Sequence, residues 1–588
     1  MHKVVTAVAL AFALTSQQQQ QPRDLLPGTP GTGRIAGTVV DAESGRSVRF
    51  AKVTLMSSMD DREAVTDEGG AFSFDSLKPG HYRLQVSKPG YLETAYGQAR
   101  PGTDTPGKDI LLAGRAAVVT IVVPLSHGGS ISGVVRDERG DPAFQAMVTV
   151  SRWLTSFGVR RLMPVDATTT DERGIYRFSR LPPRDYVLSA SPSDDAVPDT
   201  KDGPHPFGFA SSFYPGVPTA TAAEPVSLRL GEQKSGMDLQ LPLVALGRVS
   251  GTVVDGNGRP VNGAMVTVLP KDADSTDFSQ STHTDKNGRF LFEKVLPGAY
   301  TMTASTIPDQ DRIAFHGRLK LDSTHFEVTT RLFSKELKEI RGVGTYSPVD
   351  TDPSPGVVEP PGSASSDLTV AGGGETNSTL TLEPPRKVAG RLIFEGPSKP
   401  QPAKDIRVEM LTILINGGPP GVNVNDDGTF ELTNVVPGRY SITIGGATAP
   451  WSLASATSGG VDVLDFFLDV PRDRDVRDLT ITLRDRYTEL TGSVVDGAGQ
   501  PAGERTVVVF PSDERLWAGA HRVDADNLLA DGTYVFRDLR PGRYLVAVVD
   551  GVEHGEWLDP NFLRRLVPAA VPVTLGDGER KVQDLRVR

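Results

Sequence analysis

Gly288-Arg-Phe-Leu-Phe-Glu-Lys-Val-Leu-Pro-Gly-Ala-Tyr300 is the stretch on which the reading of this chain turns. A turn glycine leads into a strand that alternates apolar and polar residues, then a Pro-Gly turn, then a second strand opening at tyrosine. The same order of signals appears five times. Turn glycines stand at Gly70, Gly174, Gly288, Gly428 and Gly532, and tyrosines at Tyr82, Tyr186, Tyr300, Tyr440 and Tyr544, each twelve residues after its glycine. Insertions have gathered elsewhere in the chain, not inside this interval. An offset kept five times within one chain marks five copies of one structural unit.

Working outward, each copy opens on an alternating strand: Arg34–Asp41, Ser130–Asp137, Arg248–Asp255, Arg386–Phe394 and Glu489–Asp496. In the first copy Ala51–Leu55, Phe72–Phe74 and Tyr82–Val86 follow, and Val118–Leu125 closes the unit. The aromatics two residues past the turn glycine (Phe72, Tyr176, Phe290, Phe430, Tyr534) and the residues four past it (Phe74, Phe178, Phe292, Leu432, Phe536) share one face and are assigned to a core. The tyrosine after the Pro-Gly turn is read as a tyrosine corner, its ring buried and its hydroxyl bonded to the backbone. Asp-x-x-Gly ahead of the aromatic strand reads as a hairpin turn. In the second copy Pro182-Pro183-Arg184 replaces Pro-Gly, which predicts a different turn geometry there, because arginine tolerates positive φ poorly.

The resulting units are 34–126, 127–245, 246–385 with a long mobile insertion at 306–377, 386–486 and 487–588. A short helix is expected over Leu332–Ile340 within that insertion. Junctions between units, such as Leu125 to Ile131, are too short to be free coils, so a row of sandwiches with rod-like reach is expected, hinged at Gly128-Gly129.

Composition bounds the rest. Hydrophobic residues make up 38% and charged residues 23% of 588, so most of the chain is expected to fold. A net charge of −11 argues against a nucleic-acid partner. No cysteine is present, which excludes disulfides, thiolate metal sites and cysteine nucleophiles. Lys3 followed by the apolar Val4–Leu14 reads as a signal peptide over residues 1–16, ahead of a flexible lead-in at 17–33. That apolar run is too short for a lasting anchor, and no membrane span is expected in the mature chain.

The repeated pattern is most complete in the third copy: Gly251-Thr-Val-Val-Asp255, Gly258-Arg-Pro260, Ala264 to Val268 and Thr284 to Tyr300. It resembles carboxypeptidase regulatory-like domains, a family similar to transthyretin and to the B-type repeats of collagen-binding surface proteins. The resemblance covers almost the whole mature chain. It implies an all-β fold, a tandem array of five seven-stranded Ig/transthyretin-like β-sandwich domains of starch-binding-like type. It implies no peptidase activity, because the regulatory domain is the non-catalytic part of those enzymes. No Lys/Asn pair recurs across the copies to suggest the isopeptide crosslinks of the B-type repeats.

Motifs with chemical meaning fare poorly against structural alternatives. Gly102 to Lys108 nearly spells a phosphate loop, but Asp109 stands where a magnesium-binding hydroxyl belongs and a strand follows instead of a helix. Gly31-Thr-Gly33 mimics a dinucleotide fingerprint ahead of a strand. No His-Glu-x-x-His and no Gly-x-Ser-x-Gly is present. His316 and His325 are the pair considered for a metal, and the Asp-rich turns at Asp285–Gly288 and Asn425–Gly428 for calcium; turn capping is the stronger reading of the latter. No catalytic residue, cofactor or metal is therefore assigned.

Candidate ligand contacts are the aromatics outside the repeated strands: Phe207, Phe209, Phe213, Tyr214, Trp451, Trp517 and Trp557. The expected function is a non-catalytic scaffold or interaction protein, exported to the periplasm or cell surface of a bacterium, with an envelope protein or polysaccharide as partner. The alternative is carbohydrate binding through the aromatic insertions.

Overall fold

In the computed structural model, the described residues are 31–587 apart from 58–60, 99, 104–106, 109, 114–116, 157, 194–205, 272–278, 307–318, 322–325, 329–360, 413–420, 503–504, 519–520, 530 and 554. The signal segment, the Leu332–Ile340 helix, His316 and His325 lie outside them.

In the third domain Gly247–Val254 is the middle strand of one sheet, with Arg289–Val295 antiparallel on one side and Glu375–Thr381 parallel on the other. The facing sheet runs Gln280–His283, Met265–Pro270, Gly298–Ser305, Ser363–Val370, all antiparallel. The other four domains repeat this plan with the fourth strand of the facing sheet broken in domains one and two, the closing strand broken in domains two and five, and two strands added in domain four. The chain is a tandem array of β-sandwiches. Alternate residues of facing strands, such as Val249, Val253, Val266 and Val268, fill the space between the sheets.

The Asp-x-x-Gly turn does not close a hairpin. Gln280–His283 pairs with Met265–Pro270, whereas Arg289–Val295 pairs with Gly247–Val254, so the turn carries the chain from one sheet to the other. It is tied to the domain's first strand: the Gly288 carbonyl accepts from the Val253 N–H at 2.8 Å, and Gly70, Gly174, Gly428 and Gly532 make the same bond in their domains. Gly288 has φ +72°, and a Cβ there would stand 2.6 Å from the Val253 carbonyl oxygen, so only glycine fits.

A second glycine controls the distance between the first and closing strands. A Cβ on Gly251 would meet the Ser378 carbonyl oxygen at 1.9 Å and the Phe290 ring at 2.6 Å. Gly37, Gly133, Gly390 and Gly492 are in the same position, with carbonyl oxygens at 2.2, 2.2, 2.0 and 2.0 Å. The aromatic ring two residues past the turn glycine lies over this bare backbone. Where that ring is tyrosine, its hydroxyl bonds the same carbonyl: Tyr176 donates to Met237, and Tyr534 to Gln583 at 2.6 Å.

The tyrosines twelve residues past the turn glycine are all buried. Each donates its hydroxyl to the carbonyl four residues upstream: Tyr82 to Lys78, Tyr186 to Pro182 and Tyr300 to Leu296 at 2.8 Å, Tyr440 to Val436 at 2.7 Å, and Tyr544 to Arg540 at 2.6 Å. The bond ties the start of one strand to the turn that feeds it.

Three expectations need correction, while the expected difference at the second copy's turn is present: Gly298, Gly438 and Gly542 have φ +159°, and Arg184, which opens the matching strand, has no positive φ. Within the 306–377 insertion, Ser363–Val370 is a strand along the whole of Gly298–Ser305, and the Thr306 hydroxyl accepts from Gly362 N–H at 2.8 Å. Its sequence is mostly polar because it is an edge strand with one fully buried position, Val370, so hydropathy gives little alternation. Gly128 and Gly129 are not an open hinge, since added Cβ atoms would meet Arg180 at 2.3 Å and Leu228 at 2.5 Å. Nor is the chain a straight row, because the fifth domain lies against the first and second.

Tyr300→Phe should lower the stability of the third domain by ~1 kcal/mol through the lost hydrogen bond. Burial pushes the Tyr300 phenol up to about 12, against about 10 in an unfolded chain. The sign follows: its contribution is complete below pH ~10 and lost as pH rises towards 12. Urea unfolding of the domain should therefore show a loss of stability between pH 9 and 11 that shrinks in Tyr300→Phe.

Candidate functional site: the seams between domains

Most of the candidate aromatics are packed into the protein. Trp451 is 5% exposed, meets Phe394 edge-on at 4.8 Å and donates its indole N–H to the Lys399 carbonyl at 3.4 Å. Trp517 is 4% exposed and donates to the Pro511 carbonyl at 2.7 Å. With Val508, Phe510 and Phe562 it forms a second core outside the fifth sandwich, and Trp557 packs on the same cluster. Phe213 rests on Leu162, Val187 and Ala220, while Phe209 and Tyr214 pack on the core of domain two. Phe207 and Phe209 lie on a short strand paired antiparallel with Leu243–Ala245, the segment leading into domain three. Phe207 alone of the seven is classed as exposed, at 39%. These rings do not come together as one site.

The polar residues that do converge lie between domains. Glu553, on a loop of domain five, is 7% exposed, and its carboxylate bridges Arg152 and Arg184 of domain two; the Arg184 contact is 2.7 Å. Arg100 of domain one reaches Glu556 at 3.4 Å. A Cβ on Gly158 of domain two would stand 2.9 Å from the Cβ of Ala518 in domain five. The residues joined are 360 to 456 positions apart in sequence, so the chain folds back on itself.

A second cluster joins domains four and five. Arg522 grips Asp465 through two bonds of 2.7 and 3.0 Å, and Arg540 reaches both Asp462 and Asp465. Asp462 caps the Val463–Phe466 helical turn by accepting from the Leu464 N–H. Arg540 also lends its carbonyl to the Tyr544 hydroxyl, so one residue serves both the tyrosine corner and the seam. Burial, followed by the charge of Arg540, holds His521 below the ordinary histidine range and keeps it neutral at pH 7. Arginine suits both clusters because its planar fork satisfies two carboxylate oxygens at once.

Between domains one and two, Asp41 accepts from the Tyr91 hydroxyl at 3.1 Å and faces His127 Nε2 at 3.0 Å, with the Tyr91 and His127 rings stacked at 4.1 Å. Hydrogen bonds from the Ser44 backbone and hydroxyl hold the Asp41 carboxyl far below the usual range. The carboxylates of the Asp-rich turns are engaged locally. Asp285 accepts from Asn287 and Arg289 N–H at 2.8 Å, and Asp427 from Thr429. Among the described residues no group of three or more His, Asp or Glu is placed to hold a metal ion.

The seam residues carry no motif, yet one of them is visible as a departure from the repeat. Arg184 stands where the other copies have glycine, whereas the position of Arg540 differs in every copy (Lys78, Pro182, Leu296, Val436) and so gives no signal. Glu553 had no signal, being one acidic residue in a loop.

Residues 34–113, 130–194 and 248–308 match the sequence profile of the carboxypeptidase regulatory-like domain. The match falls on three of the five sandwiches. These are the copies with a buried threonine ahead of the turn aspartate. Thr66, Thr170 and Thr284 each accept from the N–H of Ala51, Ala146 or Ala264 and donate to Val48, Ala143 or Val261. Val424 and Leu528 stand at that position in the other two copies. Colossin-A of Dictyostelium discoideum is 24% identical over 286 residues, which is 46% of this chain and 2% of that protein. The chain thus spans a small fraction of that relative's length. Among solved structures, a streptococcal ancillary pilin is 12% identical, with 54% of this chain and 98% of that one covered and a TM-score of 0.20. Two B repeat units of the collagen-binding protein of Staphylococcus aureus are 11% identical, with 77% and 99% covered and a TM-score of 0.12.

A chain of 588 residues folded as one compact body would have a radius of gyration of about 25 Å. A straight row of five domains, each roughly 35 Å long, would have about 50 Å. Small-angle scattering should place the wild type well below the row. Glu553→Ala leaves two arginines with no partner in the seam, and they regain water only if the domains part. The radius should then rise by several ångströms (up to about half of that difference), with no loss of strand content by circular dichroism.

Proposed function

We propose that this chain is a non-catalytic, exported scaffold of the bacterial cell envelope whose domains are held in a fixed mutual arrangement. One observation carries the reading: residues that differ between copies are used to join domains to one another. Arg184, Arg540, Glu553 and the Phe207–Phe209 strand all sit at seams, while the positions common to the copies are engaged in turns and cores. Carboxypeptidase regulatory-like domains are non-catalytic parts in the enzymes that give them their name, which agrees with a scaffold. Export rests on the basic-then-apolar segment at residues 3–14. No helix among the described residues is long and apolar enough to cross a membrane.

The carbohydrate reading keeps one supporting feature, the exposed Phe207 ring. Trp451 and Trp517, two of the three tryptophans among the candidates, are covered by protein, and Trp557 is partly buried. Affinity electrophoresis through gels carrying starch, cellulose, chitin or peptidoglycan fragments tests the two readings. The scaffold reading predicts unchanged mobility in every gel. Retardation by one polymer that disappears in Phe207→Ala would establish the carbohydrate reading instead.

A further inference from the structure

His521 lies largely buried between domains four and five, and histidine is the side chain whose charge changes near neutral pH. It stands directly before Arg522 in domain five, and its ring reaches domain four, where the Ile442 carbonyl on the Gly438–Gly445 strand faces it as an acceptor. Its Nε2 is shut off from solvent and has no hydrogen-bond partner among the described residues. A neutral imidazole has one N–H to give, so these surroundings satisfy it and leave only a lone pair bare. A protonated ring would bring a second N–H into a place that offers it no acceptor.

The charges around the ring are already matched. Domain four supplies Asp462 and Asp465. Domain five supplies Arg522, bonded to Asp465 at 2.7 Å, and Arg540, bonded to both aspartates. Tyr544, which Arg522 reaches at 3.4 Å, adds no charge, because burial pushes its phenol up. An imidazolium would therefore be a surplus cation beside the buried Arg540 guanidinium, where little water screens it. The turn that carries the two aspartates ends at Phe467, with φ +64° and ψ 152°. Side chains rarely adopt that backbone conformation, and it persists only where neighbours hold it. The closed seam thus works against strain, which lowers the loss of binding needed to open it.

We propose that the seam between domains four and five is an acid-opened latch, closed on the neutral His521 ring and released when that ring takes up a proton. The latch rests on the fixed arrangement of domains proposed above, which it confines to neutral and higher pH. Burial, followed by the Arg540 charge, weakens proton uptake by the closed form. The contribution of His521 to closure is therefore complete above the ordinary histidine pKa of about 6.5 and is lost as pH falls. The ratio of open to closed molecules should rise about tenfold per pH unit below that value, until the closed form itself takes up the proton.

The chain has no cysteine, so Thr433→Cys in domain four and Leu529→Cys in domain five, both exposed, can carry spin labels. Double electron–electron resonance on the full chain should give one narrow distance at pH 7.5 and a longer, broad distribution at pH 5, with circular dichroism unchanged. His521→Gln, neutral at both values, should keep the narrow distance at pH 5. His283→Gln, on an exposed strand position of domain three, should leave the response intact. In protein carrying ¹³Cε1-histidine, the resonance that His521→Gln removes should titrate in step with the distance change. A broad distribution at pH 7.5 would overturn the fixed arrangement and the latch together. A narrow distance at both pH values would leave the arrangement standing and overturn the latch. Opening at pH 5 that persists in His521→Gln, or a His521 titration at a different pH from the opening, would also overturn it.

Discussion

Five times in this chain the closing strand of a sandwich runs beside a glycine of the first strand. Its carbonyl oxygen comes within 2.2 Å or less of where a Cβ would be. That approach sets the separation of the two parallel strands and leaves bare backbone for an aromatic ring to cover. The ring heads the strand that starts at the turn glycine, whose carbonyl is bonded to the same first strand. The tyrosine then fixes the exit from that strand through its bond to a carbonyl four residues back. Two glycines, one ring and one hydroxyl thus hold three strands and two connections in register. A residue inserted within the interval would displace at least one of them, which explains why the twelve-residue spacing is common to all five copies.

Because these positions are filled in the same way in every domain, they cannot distinguish one domain from another. Differences appear where domains meet. At the second and fifth copies an arginine occupies a place within the interval that is not arginine elsewhere, and each arginine pairs with a carboxylate of another domain. Burying such charges is costly unless both partners are present. The seams therefore favour one arrangement of domains over a freely jointed chain. They also explain the burial of Trp517, since the helix and loops that bring Glu553 to domain two carry their own small core around it.

The all-β sandwich fold was legible because alternation and turn glycines recur at a fixed offset. Pairing was less so. Periodicity marks a strand but does not say which sheet it joins, and the Asp-x-x-Gly turn proved to cross between sheets. The Ser363–Val370 strand had too few apolar residues to stand out from its polar surroundings. The candidate aromatics lie outside the repeated strands, where a ring that packs on a single domain's core, such as Trp451 or Tyr214, looks the same in sequence as a ligand contact. The ion clusters are out of reach of the sequence except through Arg184, because a lone Glu or Asp in a loop looks like any solvated residue until its partners are placed.

On this account the repeat supplies rigid units, and residues particular to single copies fold the row back until domain five rests on domain two. The chain contains no cysteine, which allows a clean test by crosslinking. Arg100 of domain one and Glu556 of domain five meet at 3.4 Å. In a protein carrying both Arg100→Cys and Glu556→Cys, a short bismaleimide should give an intramolecular crosslink, seen as faster migration on a denaturing gel and loss of both titratable thiols. Two thiols that stay free in the folded protein would contradict the closed arrangement.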